Sequence, residues 1–142
     1  MAEQPRVIAA DTSEHGIDAR LYEDRVMHVV FPRGIVVDTD VARANRQLQA
    51  SLTDGPYVVV ADATQLAYLD RDARAFLASD ERGKQVAIAV VVGRRISSYV
   101  VERWTTDHEI DRPVEMFHDP AEAFAWARAR AAELIGDDDS DE

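Results

Sequence analysis

Two short apolar runs constrain the fold of this chain more than any other feature: YVVVADA, beginning at Tyr57, and QVAIAVVVG, beginning at Gln85. Each is rich in β-branched residues, too short for an ordinary helix, and free of the polar alternation that marks a strand with one wet face. Runs of this kind suit strands covered on both sides, in the middle of a sheet. Helical periodicity surrounds them. Asp38 or Asp40 can cap a helix whose apolar face is Val41, Ala44, Leu48 and Leu52. From Asp70 or Arg71 a second helix presents Ala73, Phe76 and Leu77. After Gly93 a third carries Ile96, Tyr99, Val100 and Trp104 on one face. Asp119 opens a fourth, with Pro120 at its first position and Glu122 at its third, in the manner of a capping box. The expected buried stripe of that helix is Phe124, Ala127, Ala131, Leu134 and Ile135.

Before the first helix, Ile17, Ala19 and Leu21 alternate with polar residues, Glu23–Arg25 forms a turn, and Arg25–Phe31 reads as a second strand. RPVEMFHD, from Arg112, is a last strand. All five prolines (Pro5, Pro32, Pro56, Pro113 and Pro120) stand at edges between periodic segments. The order is β-β-α-β-α-β-α-β-α, an α/β fold with a mostly parallel sheet and an antiparallel N-terminal hairpin. One domain is expected over residues 13–135, with 1–12 as an N-terminal extension and 136–142 as an acidic, disordered tail.

Composition narrows the function classes. A chain of 142 residues with 46% hydrophobic content supports one domain with a real core. The formal net charge of −11 argues against a nucleic-acid surface, which needs a basic face. The tail GDDDSDE is too acidic and too poor in apolar residues to pack. Lys84 is the sole lysine among sixteen cations. No run is long enough to insert in a membrane, and the start MAEQPRVIAA lacks the layout of a signal peptide. The absence of cysteine removes disulfides and thiolate metal sites and fits a cytoplasmic location. No cofactor is expected.

The stretch that follows the first apolar run, DATQLAYLDRDARAFL from Asp62, resembles the STAS domain of anti-sigma-factor antagonists. The resemblance covers roughly Ile17 to Leu134 and implies a SpoIIAA-like fold in a bacterial, cytoplasmic, regulatory protein. It is most similar to STAS-like proteins of unknown function, in a superfamily that also holds the CRAL-TRIO lipid-transfer domains. In the STAS family a strand ends in an acid, a hydroxyl-bearing corner follows, and an Asp-Ser-Ser-Gly-like motif opens the next helix; a partner kinase phosphorylates the serine and switches off binding. Here Asp62 takes the strand-end acid, Thr64 the corner hydroxyl, Asp70 the helix-opening acid and Ala73 the small residue. The phosphoacceptor position falls on Arg71, which has no hydroxyl to modify. The resemblance therefore implies the fold and a contact surface without the switch.

Two strand-end corners are candidate binding sites, since open α/β sheets bind ligands beyond the carboxyl ends of their strands. The first holds Asp62, Thr64, Asp70 and Arg71. Its structural reading is that Asp62 and Thr64 bond the turn backbone while Asp70 caps its helix. The second, VVGRRISSYV, sets Arg94, Arg95, Ser97 and Ser98 at a helix opening that can hold a phosphate or carboxylate; solvated arginines pairing locally are the plainer reading. Neither corner has the glycines of a nucleotide loop. His15, His28, His108 and His118 are scattered without metal-ligand spacing, and Ser97 or Ser98 has no identifiable base. Trp126 falls off the apolar stripe of its helix, either flanking the core or serving as an exposed anchor. The expectation is a non-catalytic domain that works through a protein partner, with a homodimer conceivable; the alternative is a small-molecule or lipid-binding module with a pocket at the strand ends.

Overall fold

A computed structural model of the chain describes residues 5–78, 84–93 and 113–136. In chain order the elements are β1 (Val7–Thr12), β2 (Asp18–Tyr22), β3 (Val26–Val30), β4 (Val36–Val37), α1 (Thr39–Leu52), β5 (Tyr57–Asp62), β6 (Tyr68–Leu69), α2 (Arg71–Ala78), β7 (Gln85–Val91), β8 (Val114–Phe117) and α3 (Pro120–Leu134). Six strands form one sheet in the order β1-β2-β3-β5-β7-β8, and β4 pairs with β6 in a separate two-stranded ribbon. The steps β1–β2 and β2–β3 are antiparallel. The steps β3–β5, β5–β7 and β7–β8 are parallel. The α/β architecture with its antiparallel N-terminal hairpin is the one expected. The third helix, expected after Gly93, lies outside the described residues.

The two apolar runs occupy the centre. β5 and β7 pair from Tyr57 to Asp62, and their side chains alternate between two buried layers. Tyr57, Val59, Ile88, Val90 and Val92 join the core under α1 and α2. Val58, Val60, Ala87, Ala89 and Val91 join the core under α3. Both faces of each strand are dry, which is why neither strand carries a polar alternation.

Three expectations are corrected. Residues 7–12 are no extension; they form the edge strand β1 against β2, with a bulge between Val7 and Ala9. The inner face of α1 is Val41, Ala42, Asn45, Arg46, Leu48 and Gln49, so it includes polar groups, and Ala44 is only half-buried. In α3 the expected Ala127 and Ala131 are buried, but the third member of their i, i+4 row is Ala123; this row of small residues settles against Ala87 and Ala89 of the sheet, with Phe124 and Ile135 packed at its side. Leu134 is 45% exposed. The shift has a physical cause: a larger residue on the inner row would hold the helix off a sheet face built of alanine and valine. Trp126 accordingly flanks the core, its ring tilted against Phe117 at 6.0 Å with the Arg130 guanidinium 5.6 Å from its centre.

Helix starts follow the sequence signals. Asp38, rather than Asp40, caps α1 by accepting from the Val41 amide at 2.9 Å. Asp119 caps α3 through the Ala121 amide at 3.0 Å.

Candidate functional site at the opening of α2

The loops that leave β3 and β5 at their carboxyl ends run side by side and are joined along their length. The Gly34 amide donates to the Gln65 carbonyl at 2.8 Å, the Ala67 amide to Ile35 at 2.9 Å, and the Asp70 amide to Val37 at 2.8 Å. Gly34 sits at φ +77°, a turn that few residues other than glycine adopt. The β4–β6 ribbon is the centre of this seam, with Val36 opposite Tyr68 and Val37 opposite Leu69. Its two faces differ. Val37 and Leu69 are buried, while Val36 is 52% and Tyr68 50% exposed. Two residues of alternation are too few to register as a strand in the sequence, so both stretches read as loop.

The first predicted corner is placed at the root of the same seam. Asp62 closes β5, and its Oδ1 accepts both from the Thr64 amide at 3.0 Å and from the Thr64 hydroxyl at 2.6 Å. This is a side-chain-closed turn of the kind short acids favour. Asp70 Oδ1 accepts from the Asp72 amide at 3.0 Å at the start of α2. Arg71 and Asp72 are exposed in the first turn of α2, and Ala73 is fully buried. The corner thus brings Asp62 and Thr64 together, sets Asp70 and Arg71 on the far side of the ribbon, and directs three of its polar groups inward to the turn and the cap. Arg94, Arg95, Ser97 and Ser98, the second predicted corner, lie outside the described residues, as do the side chains of Phe76 and Leu77 and all of His108.

On the α3 side of the sheet, His28 of β3 stands opposite Arg20 of β2 and beside Val60 of β5. Its ring meets that of Phe124 edge-on at 4.9 Å. Burial lowers the His28 pKa from its ordinary value; the positive charge of Arg20 works in the same direction, and the carboxylate of Asp62 opposes both.

Sequence reasoning missed a buried polar group beneath α1. Gln49, 2% exposed, accepts at Oε1 from the Tyr57 hydroxyl at 2.9 Å and from Gln85 Nε2 at 3.2 Å, and its own Nε2 donates to Asn45 Oδ1 at 3.2 Å. Asn45, Gln49 and Gln85 also line a cavity of about 70 Å³, with Val29, Val59 and Ile88 among its apolar walls. The polar residues fall at i and i+4 of a helix, so a wheel places them on the core side, but residue type argues for the surface.

The fold is similar to that of a crystal structure of an uncharacterised protein of the DUF3478 family with a SpoIIAA-like fold from Shewanella loihica PV-4, at 12% sequence identity and a TM-score of 0.48 over 89% of this chain and 98% of that one. No curated protein matches the chain. The domain of unknown function DUF7793 matches residues 21–130, from β2 to the penultimate turn of α3, and the chain belongs to that family.

Proposed function

We propose that this chain is a non-catalytic, STAS-like contact domain that engages a protein partner at the opening of α2 and carries no phosphorylation switch at the family's serine position. The observation that carries this reading is the pairing of Val36 and Tyr68, each about half exposed, on a ribbon fixed to the fold by backbone hydrogen bonds. A tyrosine and a valine held side by side lose little freedom when they are covered, and tyrosine is among the residues most enriched in interface hot spots. Arg71 and Asp72, exposed in the first turn of the helix that follows the ribbon, can supply a polar rim. Arg71 stands where the STAS resemblance sets its phosphoacceptor, so binding at this surface is constitutive or regulated by other means.

The lipid or small-molecule alternative is less well supported. A cavity of about 70 Å³ is well short of the roughly 300–1,000 Å³ typical of ligand pockets.

The test uses the immobilised full chain and native extract of the source organism. Wild type and Leu134→Glu, which alters an exposed apolar residue on another face, retain the same protein; Tyr68→Glu loses it while keeping its melting temperature. Retention by Tyr68→Glu, loss by both variants, or no retained protein refutes the reading. Native mass spectrometry of the fresh protein gives a clean apo mass if the pocket alternative is wrong.

A further inference from the structure

The strand at the other end of the sheet has a surface of its own. β1 ends the strand order, so one side of its backbone has no partner strand among the described residues. It exposes Val7 by 46% and Ile8 by 54%, more apolar surface than edge strands ordinarily leave open. No proline or lysine interrupts it. Its flanking charges are opposite: the sequence reads Arg6, then Val7-Ile8-Ala9-Ala10, then Asp11.

We propose that β1 is a self-pairing edge, through which two copies of the chain associate antiparallel about a two-fold axis to form one continuous sheet. The charge pattern selects the occupant and its direction. With the axis between Ile8 and Ala9, Arg6 faces Asp11 of the second copy, Val7 faces Ala10, and Ile8 faces Ala9. Symmetry makes each of these contacts twice. Parallel, in-register pairing would instead set arginine on arginine and aspartate on aspartate. The bulge between Val7 and Ala9 falls at the axis, with the extra residue Ile8 of each strand facing Ala9 of the other, so the flanking pairs stay in step. Arg6 is available for this. Its side chain is 82% exposed, and its present contact with Glu23, at 3.4 Å, is an exposed pair of little strength. β8, which ends the strand order on the other side among the described residues, is shorter and carries Glu115 within its apolar residues. A single strand pair buries little area, so the dimer is weak and concentration-dependent. This inference is independent of the α2 surface, which lies beyond the strand ends on the α1 side.

Sedimentation velocity of the full chain over a concentration series tests it. Wild type shows a reversible monomer–dimer equilibrium, and Ile8→Lys is monomeric. Arg6→Glu and Asp11→Arg, each replacing two attractive cross-strand pairs by repulsive ones, weaken dimerisation about tenfold. The double variant Arg6→Glu/Asp11→Arg regains most of the loss, which a merely structural effect on β1 would not do. A second readout needs no variant: amide exchange over residues 7–12 slows as the wild-type concentration rises. A chain that stays monomeric at every concentration, a dimer indifferent to Ile8→Lys, a double variant no better than either single one, or exchange independent of concentration overturns the proposal.

Discussion

Replacing Gln49 by methionine tests whether the polar group under α1 supports the fold. Methionine keeps close to the same length and volume, so no large cavity opens and the change is chiefly one of hydrogen bonding. Three bonds are lost: those received from Tyr57 and Gln85 and the one given to Asn45. At about 1 kcal/mol net for each bond, Gln49→Met destabilises the chain by about 3 kcal/mol. For a domain of this size that lowers the melting temperature by roughly 6–12 °C. Tyr57→Phe removes one bond and costs about 1 kcal/mol. The effects are not additive, because the bond between Tyr57 and Gln49 is already broken in Gln49→Met and is counted only once. The triple variant Gln49→Met/Tyr57→Phe/Gln85→Met, which removes the group together with the two side chains that donate to it, recovers part of the loss. Urea denaturation followed by tryptophan fluorescence measures all four, with an unchanged slope showing that the native and denatured states kept their compactness. A Gln49→Met unfolding free energy within about 0.5 kcal/mol of wild type refutes the reasoning, since it would mean the buried amide contributes no more than an apolar side chain of its size.

Two further outcomes follow from the α3 side of the sheet. His28 has a native pKa below the usual histidine value of about 6.5, chiefly through burial, so the unfolded chain binds the proton more readily. Stability is therefore greatest above that usual value and falls as the pH drops from it through the lowered native pKa; His28→Leu flattens this part of a plot of urea midpoint against pH, and an unchanged slope in the variant shows the histidine is not the cause. Ala127→Leu puts a large side chain on a fully buried row facing Val58, Val60 and Ala89, and calorimetry should show a loss of roughly 1–3 kcal/mol, whereas a stability equal to wild type would mean that α3 is not seated as closely as its alanines imply.

The sequence carried the fold where burial was complete and was silent where it was partial. Tyr57–Asp62 and Gln85–Val91 are dry on both faces, and an unbroken apolar run is the direct record of that. Asp38 and Asp119 announced two helix starts because a capping side chain acts locally. β1 was illegible for the opposite reason. At the sheet edge with both faces largely exposed, VIAADT has little burial to impose a pattern, and its bulge shifts the alternation that remains. The α3 stripe is legible in part: Ala127 and Ala131 are buried as expected with Phe124 and Ile135 packed beside them, but close contact with the sheet puts Ala123 rather than Leu134 on the inner row. The residue type of Gln49 gives no sign of burial in the sequence, because it says nothing of a partner as distant in the chain as Gln85.

The same distinction bears on what the α2 opening does. The residues that made this corner conspicuous, Asp62, Thr64 and Asp70, are engaged with the chain itself: one carboxylate closes a turn on the threonine beside it, and the other caps a helix. The part-buried Asp62 oxygen, which holds both an amide and a hydroxyl, is a poor first point of contact for a partner, which would have to displace two bonds the turn uses. What remains open is the outer face of the ribbon between them. Tyr68 lies six residues after Asp62 and two before Asp70, so the polar groups that fix the loop determine where its aromatic ring stands. On the proposed reading the acidic corner is the mount, and Val36 and Tyr68 make the contact. A variant of Asp62 should therefore weaken partner binding only as far as it loosens the ribbon, while Tyr68→Glu removes binding with the ribbon intact.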